Sequence, residues 1–384
     1  MMKPNSLAIP AVWMRGGTSK GLFFHGHDLP NDPVQRDQLL LRAIGSPDPY
    51  GRQINGVGGA TSSTSKIVII TPHAGSDADV NYCFGHVAIR EAKIDYSGNC
   101  GNLASAVGVF AIEQGLVQGK PNDITCVRVF QQNQGKHMRV YVPTDEEGKV
   151  VTQGDYEIAG VPGSGSQIKV EFVDVGGAKN SSVLPTGNVI DQLETQNGKQ
   201  IQVSLVNAGN PTVFIAAESL GLSGTELPDQ INADTELLKL VEELRCKAAI
   251  KIGLADSVAQ ARQQPATPKL AFVSAPQEYT NTQNQKVPAT DIDLEVRIFS
   301  MGKLHHALTG TGAIALAVAA NLPGTLVEGG CKKPRSSNLI RLGHCAGVMH
   351  AEAKVVKRDD YWIAPSACYS RTARTLMRGE VLTA

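Results

Sequence analysis

The stretches "CGNLASAVGVFA" (residues 100–111) and "TGTGAIALAVAA" (309–320) follow one plan. Each opens on a small polar residue, then glycine, then a second polar residue, before an alanine-rich apolar run. The runs predict helices, here over 102–115 and 311–321. Upstream of each, a glycine turn leads into an aromatic strand: "RGGTSKGLFF" (15–24) and "NAGNPTVFI" (207–215). The order, glycine turn and then helix start, occurs once in each half. Repetition of this kind implies two similar domains, each giving one helix N-terminus to a shared cleft. The join is expected near "GGAKNSSVLPTGN" (176–188), which is rich in Gly, Ser and Asn. This sets domains at 1–180 and 181–365, with a closing segment at about 366–384 crossing back to the first.

The remaining periodicity is strand-rich. "KIVII" (66–70), "CVRVF" (126–130), "MRVYV" (138–142), "IKVEFVD" (168–174) and "IQVSLV" (201–206) are short, β-branched and bounded by turn residues. A further helix is expected over 233–250, with Asp234 or Asn232 as its cap, and Gly115 is placed to stop the first one. The mixture predicts an α+β fold rather than a strict βαβ alternation.

Composition narrows the function. In 384 residues, 36 basic and 36 acidic side chains cancel. No basic run is long enough for a nucleic-acid footprint or an anionic-membrane patch. The longest fully apolar run, "AIALAVAA", falls far short of the roughly 20 residues of a membrane span. The 7 cysteines are scattered with no C-x-x-C, against a disulfide framework, a zinc site or an iron–sulfur cluster. A cytoplasmic protein with reduced thiols is expected. His305 and His306, being adjacent, would point apart on a strand, and no nearby acid completes a metal set.

Two residues carry chemistry. Cys100 stands where a polar turn becomes a helix, and the first turn of a helix has N–H groups without intrahelical partners and a partial positive charge. Such an end receives carboxylates and favours a thiolate; the alternative role is that of a small half-buried filler. Lys66 closes the turn "GGATSSTSK" and opens an apolar strand. It is either a solvated strand-edge charge or, if the strand is central, an amine sufficiently desolvated to act as a general base. Arg15, Thr18, Ser19 and Lys20 of "RGGTSK" are suited to binding carboxylates.

Together, "MRGGTSKG", "GGATSSTSK", "SGNCGN", "PTGN", "NAGNPT" and "SMGKLHHALTGTGA" resemble the 2-methylaconitate cis-trans isomerase family, within the diaminopimelate epimerase-like superfamily. The resemblance runs from about Met14 to Met377 with the motifs in order. It implies two domains, each a β-barrel-like sheet around a central helix, with the site in the cleft between them. It further implies Lys66 as base and Cys100 as active-site cysteine. Backbone donors would come from Gly101 and Asn102 on one side and Gly310 and Thr311 on the other. Ser19 and Asn210 would be substrate-binding residues, joined by Arg15, Lys20, Ser65, Asn99, Lys303 and Thr309. An epimerase has a second cysteine where this chain has Thr309, and a Glu-Arg pair where it has Ser300-Met301. Their loss argues against two-thiol racemisation of an amino acid.

The expected reaction is interconversion of cis and trans 2-methylaconitate in the methylcitrate route of propionate breakdown. Lys66 would take an allylic proton, with no metal or organic cofactor. The substrate is a small tricarboxylate supplied by an aconitase-like methylcitrate dehydratase, and a homodimer is left open. The same residues also serve an allylic 1,3-shift, as in 4-oxalomesaconate tautomerases and methylitaconate isomerases. A third reading is a non-catalytic accessory of the dehydratase.

Overall fold

The computed structural model describes residues 7–176, 182–332 and 337–383. Its contacts divide the chain into two compact units. The first takes the chain up to Glu157, then Gly163–Val170 and the closing segment from Arg371; the second takes Ile158–Pro162 and Glu171–Ser370. The join expected at residue 180 falls within 177–181, outside the described residues, and the strand Ile168–Val173 straddles the division.

In the first unit, strand Ala373–Thr383 pairs with Leu7–Gly16, which pairs with Ser19–His25. The order continues through Lys66–Pro72, Val80–Val87, Ile124–Gln131 and Lys136–Pro143. Two of these pairings are parallel, Ser19–His25 with Lys66–Pro72 and Val80–Val87 with Ile124–Gln131; the others are antiparallel. Helix Gly101–Glu113 touches strands at both ends of this order, so the sheet curls around it. Every residue of the helix from Gly101 to Ile112 is buried, as its uniform apolarity requires. Helix Pro33–Ile44, capped by Asp32, covers the opposite face of the sheet with Leu40, Leu41 and Ile44 against Ile9, Leu22, Phe24, Ile67 and Ile69. No reading of the sequence above anticipated it, although Asp-Pro at its start is a strong helix-opening signal.

The second unit repeats the sequence of pairings. Asp191–Glu194, Gln200–Ala208 and Asn210–Ala216 are antiparallel neighbours. Asn210–Ala216 then runs parallel to Lys269–Ser274, which is antiparallel to Leu294–Ser300. Leu294–Ser300 is parallel to Leu339–His344, itself antiparallel to Gly347–Arg358. Helix Gly310–Ala319 is the buried centre. Helix Thr235–Lys251, capped by Asp234, packs outside on Leu205, Val213, Leu270 and Phe272. The repeat in the sequence is thus a repeat of topology. His305 and His306 follow the short strand Lys303–Leu304 instead of lying in one; they stack at 4.5 Å between ring centroids and do not point apart.

Candidate active site

Lys66 begins a strand whose next residues, Ile67 and Ile69, face the outer helix. Strand alternation therefore turns the Lys66 side chain toward the central helix. There its Nζ lies 3.1 Å from Ser19 Oγ and 3.2 Å from Cys100 Sγ, with the Phe84 ring centroid at 5.6 Å. Lys66 is 6% and Cys100 7% exposed, so amine and thiol meet largely out of bulk water. Lys66 is therefore not a solvated strand-edge charge.

Cys100 is the N-cap residue. Its sulfur accepts from the Leu103 N–H at 3.5 Å, and the Tyr82 hydroxyl donates to its carbonyl at 3.1 Å. A sulfur in this position faces the unsatisfied first-turn amides and the positive end of the helix. Such an amine–thiol pair can exchange a proton directly, beside donors suited to a carboxylate or a developing enolate.

The glycines of "RGGTSK" hold the helix start in place. An ideal Cβ on Gly16 would lie 2.5 Å from the Asn102 carbonyl oxygen. On Gly17, which has φ +51°, it would lie 2.4 Å from Asn102 Oδ1 and 2.9 Å from Arg371 Cδ. Bare backbone is therefore required for the turn to seat against the helix. Four polar contacts fasten it. Gly17 N–H and the Arg15 guanidinium both donate to the Thr372 carbonyl, at 3.0 and 2.9 Å; Asn102 Nδ2 donates to Thr18 Oγ1 at 3.0 Å; and Arg371 Nε donates to Asn102 Oδ1 at 3.0 Å.

The expected binding residues separate into groups. Ser19, Lys66, Cys100, Gly101 and Asn102 come together, and Asn99 is buried just before the helix with Nδ2 3.9 Å from Met138 Sδ. Ser65 is buried, but its hydroxyl donates to Gln53 Oε1 at 2.7 Å, so it braces the loop before Lys66. Lys20 lies over the Trp13 ring at 5.9 Å, on the outer face opposite Ser19, and Arg15 is its cross-strand partner there. Burial, with the neighbouring Arg374 charge, lowers the Arg15 pKa from its ordinary value.

Within the second unit, Asn210, Thr309, Gly310 and Thr311 are all buried. Thr309 caps its helix as Cys100 does, its hydroxyl accepting from the Gly312 N–H at 3.1 Å. Lys303 is exposed on the strand Lys303–Leu304 and does not join them. Among the described residues, no three His, Cys, Asp or Glu side chains gather into a metal-binding set. No described helix is long and apolar enough to cross a membrane.

The family described as PrpF protein matches residues 6–384. The chain belongs to the PrpF protein family. Among the proteins it is similar to, a 2-methyl-aconitate isomerase of Cupriavidus necator is 45% identical, covering 98% of this chain and 97% of that one. A 2-methyl-aconitate isomerase of Shewanella oneidensis is 43% identical, with the same coverage of 98% and 97%. A crystal structure of methylitaconate-delta-isomerase superposes with TM-score 0.78 at 40% identity, covering 99% of this chain and 96% of that one. A hydroxyproline epimerase from Agrobacterium vitis superposes with TM-score 0.56 at 12% identity, over 99% and 94% of the two chains, a likeness of fold alone. The PrpF fold is accordingly α+β and diaminopimelate epimerase-like.

Arg371 is a PrpF residue that the sequence analysis missed. Its partner Asn102 is 269 positions away, and no local pattern marks such a contact. Gln53, buried at φ +53° and bonded to Ser46, Ala60 and Ser65, was missed for the same reason.

Proposed function

We propose that the chain is a 2-methylaconitate cis-trans isomerase. The observation that carries this reading is the buried contact of Lys66 Nζ with Ser19 Oγ and Cys100 Sγ. Lys66 takes a proton from the C4 methylene, which is allylic to the double bond. The electron pair of that C–H bond delocalises through the alkene onto a carboxylate, giving a dienolate. Bond order between the former alkene carbons falls, the bond rotates, and Lys66 returns the proton to C4. First-turn amides at Gly101 and Asn102 stabilise the developing charge, each such donor being worth about 3 kcal/mol. Ser19 holds the amine in place, and Cys100 orients the substrate or shares the proton. Asn210, Thr309, Gly310 and Thr311 are assigned to binding on the strength of their burial at a like-built helix start.

The likeness to the methylitaconate isomerase structure favours one second reading, a 1,3-shift in which the proton returns to the far allylic carbon. Proton NMR in heavy water separates the two. With 2-methylaconitate, deuterium enters at C4 and the geometric isomer appears; a 1,3-shift instead moves the double bond and labels the other end. Replacing Lys66 by Met abolishes both exchange and isomerisation, whereas full turnover in that variant would remove the general base. Cys100→Ala is expected to lose turnover more than affinity. The same reading places the chain in the cytoplasm. Its tricarboxylate would come from an aconitase-like dehydratase.

A further inference from the structure

The proposed isomerisation carries its proton out and back on Lys66 and gives the Cys100 sulfur no bond of its own to make. Capping the helix does not call for sulfur either. Thr309 caps its helix with a hydroxyl, which accepts from the Gly312 N–H at 3.1 Å, where the Cys100 sulfur accepts from the Leu103 N–H at 3.5 Å. Oxygen is the better acceptor of the two. A nucleophilic sulfur therefore stands where a hydroxyl would cap as well, and it stands against an amine.

Lys66 Nζ is held between Ser19 Oγ at 3.1 Å and Cys100 Sγ at 3.2 Å, so nitrogen and sulfur are already in contact. Both residues keep a small part of their surface exposed, which leaves the pair open to a molecule little larger than water. Oxidants attack a cysteine as its thiolate, and other cysteines of the chain are guarded against that form. Burial pushes the Cys83 thiol up to about 11. Burial, joined by the Glu242 carboxylate, pushes Cys246 up to about 11 against the pull of Arg245. Burial raises Cys345 too, and Cys368 Sγ lies 3.7 Å from a Glu352 carboxylate oxygen. Cys100 Sγ faces hydrogen-bond donors instead, the Lys66 amine and the Leu103 N–H.

We propose that Lys66 and Cys100 form a reversible oxidation site, in which hydrogen peroxide converts the Cys100 thiol to a sulfenic acid and the Lys66 amine captures it as a nitrogen–sulfur link. In the first step the sulfur takes one peroxide oxygen. The O–O bond breaks, an S–O bond forms, and the other oxygen leaves as water; sulfur is oxidised and peroxide reduced by two electrons. In the second step the lone pair of the neutral Lys66 amine attacks the sulfur. An S–N bond forms, the S–O bond breaks, and the departing hydroxide takes a proton from nitrogen as a second water, with no further oxidant. A thiol reductant reverses the link: one thiol attacks the sulfur and releases the amine, and a second resolves the mixed disulfide to restore Cys100. The link holds the sulfur below the irreversible sulfinic acid and withdraws the amine that serves as base.

Only the effect on turnover rests on the isomerase reading; the link itself is read by mass. Wild type, Lys66→Met and Cys100→Ser are treated with hydrogen peroxide, with and without later thiol reductant, and followed by intact-mass and tryptic-peptide mass spectrometry. Wild type is expected to lose two hydrogens, with the peptide carrying Cys100 joined to one that trypsin leaves uncut after Lys66. Turnover of 2-methylaconitate falls in proportion to the linked fraction, and reductant restores both mass and turnover. Lys66→Met gains oxygen at Cys100 and passes to sulfinic acid, which reductant does not reverse. Cys100→Ser forms no link at Lys66. Sulfinic acid at Cys100 of wild type as fast as in Lys66→Met overturns the proposal. So does the same loss of two hydrogens in Lys66→Met, which marks capture by a backbone nitrogen or a second cysteine. Should Lys66→Met fail to fold, the presence or absence of the joined peptide in wild type decides alone. A wild type that forms the link but turns over no methylaconitate overturns the isomerase reading and leaves the oxidation site standing; turnover with no link does the reverse.

Discussion

Replacing Gly16 by Ala adds one methyl group at the seam between the glycine turn and the Cys100 helix. The new carbon would sit 2.5 Å from the Asn102 carbonyl oxygen, 3.0 Å from Leu103 Cα and 3.1 Å from Ser105 Oγ. Two of these three neighbours are backbone, and the oxygen already accepts from Ser105 Oγ at 2.7 Å, so none can swing aside cheaply. Reaching an ordinary contact of about 3.4 Å needs 3.4 − 2.5, or about 0.9 Å, of separation. Either the turn or the first turn of the helix must give. Overpacking of this kind costs about 1–3 kcal/mol. A shift of that size would also pull Cys100 Sγ from its 3.2 Å contact with Lys66 Nζ, beyond hydrogen-bonding reach. A misplacement of about 1 Å at a reacting group lowers turnover by about a hundredfold. The assay is urea unfolding together with NMR turnover of 2-methylaconitate. Gly115→Ala is the control, since Gly115 has φ +70° with nothing within 4 Å of its Cβ position. It should lose about 1 kcal/mol of stability through backbone strain and no turnover beyond its folded fraction. A folded Gly16→Ala protein with kcat within threefold of wild type would refute the seating of the helix by the turn.

Two further perturbations test features outside the Lys66 contact. Burial pushes the Glu295 carboxyl up to about 7, against the opposing pull of Arg297 at 3.8 Å. The native state therefore keeps a proton that the unfolded chain, titrating near 4.5, gives up. The stability from this group is complete below that value and is lost as pH rises to about 7. Urea midpoints of wild type and Glu295→Gln should accordingly diverge in wild type's disfavour by up to about 3 kcal/mol between pH 5 and 8; a gap constant across that range contradicts the argument. Arg371→Met should cost about 1–3 kcal/mol by leaving Asn102 Oδ1 unmet. If Arg371 acts through Asn102 on Thr18, then Thr18→Val adds little in the Arg371→Met background, and additive losses in urea unfolding would show the two to be independent.

How far the sequence reveals this molecule depends on the range of the interaction that fixes each residue. The two buried helices were legible because uniform apolarity over ten or more residues has one stable outcome, enclosure by a sheet. Cys100 was legible because a cap position is set within four residues of chain. Lys66 was legible by its neighbours, since "IVII" allows only a central strand and a strand start fixes the direction of its first side chain. The same rule, carried one step further, separates Ser19 from Lys20, which alternation sends to opposite faces; reading "RGGTSK" as one carboxylate-binding turn overlooked it. Arg371, Gln53 and the hydroxyl of Ser65 lie beyond this kind of reading. Each is defined by a partner from another segment, 269 residues away for Arg371 and 12 for Ser65, and nothing in the neighbouring residues encodes such a pairing. A local rule can say which side chain turns inward; what that side chain meets is settled by the register of strands that the rule does not contain. That is why Lys66 and Cys100 could be named from motifs, while the contact that brings them to 3.2 Å emerged only from the packed chain.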